Sequence, residues 1–191
     1  MSLTALARIK TKEMIHLPNE SELVEVITQA DSPSSVIVAA YHALDDAIGA
    51  VMQRILSRNE QEVQCIVDPL MGATGPLGNV KVRAGLLLGL GVLSREVYAD
   101  LEVFLRLTEY CEDAAKPVSF TDLYVLTELR SIEAVKRTMP IEYDPSMISG
   151  LSEVMMKMFI ERHNQKVRST IVLAITDLVS QLSVEVTKPT R

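Results

Sequence analysis

A glycine-rich stretch at residues 72–78 is the strongest candidate for phosphate chemistry in the sequence. Gly72, Gly75 and Gly78 recur every third residue, and glycine-rich loops bind phosphates through backbone N–H groups at a helix start. The stretch follows a helical pattern rather than a strand, and no Lys-Ser or Lys-Thr pair follows its last glycine. We therefore favour a structural turn, with anion binding at the helix start at Asn79 as the alternative.

The histidines and carboxylates offer little material for catalysis or metal binding. Glu13 and His16 have the Glu-x-x-His spacing of di-iron bundles, but the pair occurs once and such a site needs it twice. His42 could bind a cation together with Asp45 and Asp46, although surface charges on a helix explain the group as well. We expect no catalytic residue, no metal site, no cofactor and no enzymatic activity.

The densest basic cluster lies near the C-terminus, around a single glutamate, Glu161. Its members are Lys157, Arg162, His163, Lys166 and Arg168. Two interpretations stay open, a solvated helix face and an interaction surface for an acidic partner or nucleic acid.

The composition favours a helical protein of the cytoplasm. The net charge of -6 is the opposite of what a free-standing, non-specific nucleic-acid binder carries, because such proteins gain affinity by neutralising phosphates. Cys65 and Cys111 form no CxxC motif and no disulfide framework, which fits a reducing compartment. No signal-like apolar run opens the chain, and the longest charge-free apolar piece, Ala84–Ser94, is too short for a bilayer, which needs about 20 residues. We expect a cytoplasmic protein without membrane contact.

Apolar residues recur at spacings of three and four, which predicts an all-α, multi-helix bundle of about seven helices. Residues 1–18 are expected to be a flexible tail and residues 19–191 a single helical domain. The predicted helices are a short one from Asn19 or Ser21 to Ala30, then Ser35–Ser57, one opened by a capping box at Asn59–Glu62 and ending near Pro69, Val80–Leu90, Ser94–Cys111, Leu123–Met139 and a long one within Ser146–Val186.

The helices on either side of Gly91 are predicted to form a central buried hairpin. Val80–Leu90 is nearly apolar all round beyond Arg83, a pattern typical of buried helices. On that basis Leu86→Ala should cost about 2–5 kcal/mol. The pair faintly resembles a helix-turn-helix, but Ser94–Asp113 carries two positive and six negative residues, and such a helix would repel phosphates. We expect four of these acids on the outer face of the helix, Glu96, Asp100, Glu102 and Glu109.

The last helix poses a question of length. A single helix here would run about 54 Å at 1.5 Å per residue, more than the diameter of a small domain. It must protrude, pair with a second copy, or bend near Asn164. The Met- and Leu-rich stripes exceed what one small bundle can hide, so we expect a homo-oligomer, most simply a dimer.

The stretch Val63–Asp100 resembles the mannitol operon repressor family of bacterial regulators. The matching pieces in this stretch are Val67-Asp68-Pro69-Leu70, Gly75-Pro76-Leu77-Gly78, Val82-Arg83, Gly89-Leu90-Gly91-Val92, Arg95-Glu96 and Tyr98. Two pieces farther along the chain agree as well, Phe120-Thr121-Asp122 and Val167–Leu173. Within them, Asp68, Pro69, Gly75, Pro76, Gly78, Arg83 and Gly91 are the residues for which a structural role is expected.

The resemblance implies an all-helical cytoplasmic protein that represses genes for mannitol uptake and utilisation, in organisms that import mannitol through a phosphotransferase system. It brings no catalytic residues. Because the sequence offers no credible DNA-reading element, we expect repression through contact with a regulatory protein or a phosphotransferase-system component. The alternative is a repressor that binds DNA directly, with the basic cluster contributed by both copies of a dimer. A helical domain that senses a small molecule is a third hypothesis.

Overall fold

The computed structural model describes residues 19–56 and 63–187, and these ranges hold eight α-helices and no β-strand. The helices are α1 (Glu20–Thr28), α2 (Pro33–Leu56), α3 (Asp68–Met71), α4 (Val80–Gly89), α5 (Arg95–Asp113), α6 (Leu123–Ser131), α7 (Glu133–Thr138) and α8 (Glu153–Thr187). A π-helical turn, Val63–Val67, leads into α3, and a 3₁₀ turn, Pro145–Ile148, precedes α8. The predicted tail at 1–18 and the predicted capping box at Asn59–Glu62 lie outside the described residues.

Side-chain caps begin several helices where the sequence predicts them. Asn19 and Glu22 form a reciprocal capping box at the start of α1. Asn79 accepts a hydrogen bond from the backbone of the first turn of α4, and Ser94 does the same for α5. Pro33 is the first residue of α2, where its missing N–H costs nothing. Helix starts are local features, which is why they can be predicted from short stretches.

Helix α2 lies at the centre of the fold and packs against α1, α4, α5 and α8. Its apolar spacing buries Val36, Ala40, Leu44, Ile48 and Val51. By length and composition alone this helix could cross a membrane. However, 61% of its most apolar window is buried inside the protein, as expected for a core helix.

The hairpin between α4 and α5 turns at Gly91, as predicted. Its φ of 72° is open to glycine without steric cost. The N–H of Gly91 donates to the carbonyl of Leu88 at 3.0 Å, and that of Val92 to the carbonyl of Leu87 at 2.9 Å. This is a complete Schellman motif, which satisfies carbonyls that a helix end would otherwise leave unpaired.

Helix α4 is not buried all round, so the prediction of a fully buried helix is wrong. Val80, Ala84 and Leu87 face the core, whereas Leu86 is 39% exposed. The expected cost of 2–5 kcal/mol for Leu86→Ala therefore does not apply. The pattern misled because the one charged residue in the middle of α4, Arg83, faces inward and apolar residues face outward.

The predicted helix Leu123–Met139 is two helices that break at Ile132. Ile132 has extended backbone angles and no side-chain cap for α7. Asp100, on α5, provides the cap instead, because its carboxylate accepts hydrogen bonds from the N–H groups of Glu133 at 2.8 Å and Ala134 at 2.9 Å. Asp100 was expected on the outer face of its helix but is buried. Burial raises the pKa of the Asp100 carboxyl, against the opposing effect of the two N–H donors.

The last helix, α8, is one continuous element of 35 residues, about 52 Å long. It runs through Asn164 without a change of helix type. Its second half, from Val167 to Leu182, packs against α1, α2 and α7. Its first turns extend past this contact, with Val154 70% exposed. Because the helix continues through Asn164, protrusion and pairing with a second copy stay as the alternatives.

Neighbouring leucines on α4 allow a matched test of this burial. Leu87 is fully buried, so Leu87→Ala should lower the free energy of unfolding by about 2–5 kcal/mol through lost contacts and a residual cavity. Leu86→Ala should cost about 1 kcal/mol or less, because the side chain is already partly in water. Urea unfolding of both variants measures the difference. Equal costs would contradict the orientation of α4.

The cap formed by Asp100 predicts a second pair of results. Asp100→Ala should cost about 1–3 kcal/mol, because two buried N–H groups lose their acceptor, whereas Glu109→Ala on the exposed face should be nearly neutral.

Because the folded pKa of Asp100 is raised above its ordinary value of 3.8, the contribution of Asp100 to stability falls as pH rises through that folded pKa. NMR titration should give a carboxyl pKa above 3.8, and a lower value would mean that the two N–H donors outweigh the effect of burial.

Candidate partner-binding surface

The glycine loop, residues 72–79, is a structural turn rather than a phosphate cradle. Its N–H groups are used within the loop: Gly75 donates to the carbonyl of Gly72 at 2.8 Å, Leu77 to that of Leu70 at 2.9 Å, and Gly78 to that of Gly75 at 3.0 Å. A phosphate site needs such groups pointing at the ligand. The Asn79 side chain already caps the helix start.

Two of the loop glycines are required by close backbone contacts. A Cβ at Gly75 would lie 2.2 Å from the carbonyl oxygen of Leu70, and a Cβ at Gly78 would lie 2.5 Å from that of Gly72. Backbone atoms cannot yield as a flexible side chain can, so any other residue would force the loop open. A Cβ at Gly72, by contrast, would make ordinary contact at 3.4 Å.

Arg83 holds the loop against the core. Its guanidinium donates to the carbonyl of Leu77 at 3.1 Å and forms an ion pair with Asp45 on α2. Arg83 is buried, whereas Asp45 is about a third exposed. A buried cation is stable only when its partners replace the water that it loses. Asp45 is therefore a structural ion-pair partner, and the proposed cation site with His42 loses one of its oxygen ligands.

The other residues for which a structural role was expected lie around the same loop and hairpin. Asp68 begins α3 and accepts a hydrogen bond from the side chain of Gln53 at 3.3 Å. Pro69 lies in the first turn of α3, where no intrahelical N–H is needed. It was expected to kink or end a helix, but the chain passes from a π-helical turn into α3 just before it. Pro76 is exposed within the loop, and Gly91 forms the hairpin turn.

The predicted basic cluster is divided by the geometry of α8. At about 100° per residue, Arg162 and Lys166 lie on one flank of the helix, and Lys157 and Arg168 on the other. Met158 lies between the two flanks and is 59% exposed. The cluster therefore does not form one continuous basic stripe.

His163 does not belong to the exposed cluster, so its assignment to an interaction surface is wrong. It is only 6% exposed, and its Nε2 donates to the carbonyl of Phe120 at 3.0 Å. Its ring lies 4.5 Å from that of Tyr143. The residue joins α8 to the start of α6 through a contact 43 positions apart in sequence, which no local pattern could reveal.

Two of the remaining basic residues also make contacts within the fold. Arg168 is half-buried and donates to the carbonyl of Ala30, just beyond α1. Lys166 lies 4.0 Å from the carboxylate of Glu142. Lys157 and Arg162 are exposed.

Exposed apolar side chains on α8 agree with the expectation that the apolar stripes exceed what one bundle can hide, although the sequence did not show which residues are exposed. Val154, Met155 and Met158 are 70%, 56% and 59% exposed and lie on the protruding turns beside Lys157 and Arg162. We call these five residues the α8 tip. Their stripe is visible in the sequence, but the spacing alone indicates a buried face. Methionine and arginine are enriched where proteins meet, so the α8 tip has the composition of a protein interface.

Little else in the described part of the chain suggests chemistry. No three His, Cys, Asp or Glu residues in the described ranges are placed to hold a metal ion. A cleft of about 260 Å³ between the start of α5 and the end of α8 is lined by Val92, Leu93, Ser94, Val97, Ser180, Gln181 and Leu182. No lining side chain carries a charge, so the cleft has neither a charged anchor nor a general base.

Comparison with known proteins gives one consistent family. The sequence model described as the mannitol repressor matches residues 19–183. A mannitol operon repressor of Escherichia coli is 29% identical over 166 residues, which cover 87% of this chain and 83% of the relative. A more distant relative, fumarase E of Escherichia coli, is 22% identical over 166 residues, which cover 86% of this chain and 96% of the relative.

Solved structures agree with the sequence matches. The X-ray structure of the MtlR–HPr complex from Escherichia coli matches with a TM-score of 0.72 and 29% identity, over 86% of this chain and 98% of that chain. The crystal structure of YggD from Shigella flexneri, described as a possible transcriptional regulator, matches with a TM-score of 0.69 over 87% of this chain and 99% of that chain. At 21% identity, this second likeness supports the fold alone.

The glycine contacts generate a matched prediction. Gly75→Ala should lower the free energy of unfolding by more than about 2 kcal/mol, because the new Cβ meets two backbone carbonyls. Gly72→Ala should change it by less than about 1 kcal/mol, since its Cβ has ordinary contacts. Thermal and urea unfolding of both variants measure the effect. A Gly75→Ala protein as stable as Gly72→Ala would contradict the loop geometry.

Proposed function

The chain belongs to the mannitol repressor family, and on that premise we propose that it represses mannitol uptake and utilisation genes by binding a phosphotransferase-system protein. The observation that carries the proposal is the match to a relative whose structure was solved in complex with HPr, a component of that system. The match covers 86% of this chain, and the family model extends over residues 19–183. Such a regulator works by contact and needs no cofactor and no membrane.

The α8 tip is the surface that we assign to this contact. Its apolar side chains have no core to cover, because the buried part of α8 begins at His163. Lys157 and Arg162 flank the apolar residues and add charge at the rim. An apolar centre with a charged rim is the usual arrangement of a protein interface. Lys166, beside Glu142, and the half-buried Arg168 lie farther along the helix, outside the α8 tip.

Direct DNA binding is the weaker alternative for the same helix. Salt-dependent affinity for DNA comes from several cations that contact phosphates together. Here His163 is buried, Arg168 is held by Ala30, and the two flanks are separated by Val154 and Met158. The net charge of -6 opposes approach to a polyanion. Protein contact therefore has more support.

A non-enzymatic role is also part of the proposal. A fumarase must bind a dicarboxylate and move a proton, which needs cationic anchors and a base within one pocket. The cleft beside α5 has an uncharged lining, and the buried Arg83 is held by Asp45 and the carbonyl of Leu77. The distant relative named fumarase E is a reason to measure fumarate hydration in the purified protein. We expect no turnover above a buffer blank.

The HPr contact is tested by titration calorimetry with purified HPr. The wild-type chain should bind, and Met158→Asp should weaken binding at least tenfold, because it places a carboxylate in the apolar centre of the α8 tip. Leu173→Asp is the matched control, since Leu173 is an exposed apolar residue, at 44%, on the same helix outside the tip. Arg162→Glu should have a smaller effect that decreases with added salt.

The possible results test the identity of the partner and the assignment of the α8 tip separately. If HPr does not bind the wild-type chain, the proposed function is wrong. If HPr binds and Met158→Asp has no effect, the partner stands and the assignment of the α8 tip fails. If the chain alone shifts a mannitol promoter fragment near physiological salt, and Arg162→Glu with Lys166→Glu abolishes the shift, the DNA alternative replaces protein contact.

A further inference from the structure

Helix α4 has its polarity reversed relative to an ordinary surface helix. Of its two charged residues, Lys81 is exposed at its N-terminal end, but Arg83 is only 5% exposed, whereas Val82, Leu86 and Leu90 are 49%, 39% and 55% exposed. A surface helix normally turns its polar residues to water and its apolar residues to the core. The outward positions 82, 86 and 90 are spaced by four, so they form one stripe along the whole helix.

Two glycines lie within this stripe. Gly85 and Gly89 are four residues apart on the same outward side as Val82 and Leu86. A Cβ built at either glycine would meet no atom within 4 Å, so the fold itself does not require glycine there. Glycine inside a helix is destabilising relative to alanine. Its presence twice on one open face makes a shallow groove between apolar ridges, where another helix backbone can approach closely.

We infer that a second copy of this chain covers the face, with α4 of one protomer crossing α4 of the other about a two-fold axis. The occupant must present a helix with ridges and a groove of the same spacing, and an identical α4 does so. Under two-fold symmetry, each contact between the two protomers occurs twice. The leucines of one helix pack over the glycines of the other.

Charge supports an identical partner in an antiparallel crossing. The chain carries a net charge of -6, so two copies repel each other unless they meet through an uncharged face. The stripe from Val82 to Leu90 carries no outward charge. Lys81, at the N-terminal edge of the stripe, is 57% exposed although it lies 3.4 Å from Glu102 on α5, and it would lie near the partially negative C-terminal end of the partner's α4.

The size of the face sets the strength of the dimer. Helix α4 is about 15 Å long, so its outer face alone is smaller than the roughly 800 Å² per partner of a standard stable interface. Interfaces of this size are typical of weak, reversible association, so we expect a Kd on the order of micromolar. The surface is distinct from the α8 tip, and the inference does not depend on binding of HPr.

Sedimentation equilibrium of the full chain, from about 1 to 200 μM, tests the inference on the scale of a micromolar Kd. The wild-type chain should pass from monomer to dimer over this range. Leu86→Glu should weaken dimerisation at least tenfold, because the two-fold axis brings two carboxylates together. Leu173→Glu is the control and should leave the dimer unchanged.

A second variant keeps the test independent of any folding defect. Gly85→Ala with Gly89→Ala should fold at least as well as the wild type, since both Cβ atoms have open space and alanine favours helix. Its melting temperature at low concentration should be unchanged or higher, while its dimer should be weaker. A wild-type chain that stays monomeric at 200 μM would overturn the inference. So would a dimer that survives both sets of changes, or a monomer in which Leu86→Glu abolishes binding of HPr instead.

Discussion

The buried guanidinium of Arg83 is the contact on which the arrangement of the other elements depends. It joins α4 to Asp45 on α2 and to the carbonyl of Leu77 in the glycine loop. A cation removed from water is tolerated only when its partners are fixed in place. Arg83 therefore determines the conformation of the glycine loop, the register of α4 and the distance between α4 and α2. It also determines the rotation of α4. Turning Arg83 inward sends Val82 and Leu86 outward, which is why the surface of this helix is apolar.

Local features of the fold could be predicted from the sequence, and contacts between distant segments could not. The caps at Asn19 and Ser94 and the turn at Gly91 depend on a few neighbouring residues, and all three are confirmed. Asp100 looked like an exposed acid because its partners, the N–H groups at the start of α7, lie 33 and 34 positions away. His163 looked like part of a basic surface for the same reason. In each case burial depends on a partner that helical periodicity does not show.

The family resemblance is confirmed over far more of the chain than the motifs suggested. Those motifs comprise 27 of the 191 residues, whereas the family match extends from residue 19 to residue 183. The all-α class is confirmed as well. The motifs were sufficient because they coincide with positions that have steric or electrostatic constraints, such as Gly75 and Arg83. The functional surfaces have no such constraint, since exposed apolar residues at helical spacing look like any core stripe until the fold shows which way they face.

The path of α8 has a consequence for how the chain is synthesised and folded. This last helix packs against α1 and α2, and Arg168 bonds to Ala30 across 138 positions of sequence. Contacts of such long range form late and slow the folding rate. As the ribosome makes the chain from its N-terminus, the core face of α2 stays open until nearly all residues have been released. Premature termination before α8 would leave that face in water. The truncated chain would then be a substrate for chaperones and proteases rather than a smaller working domain.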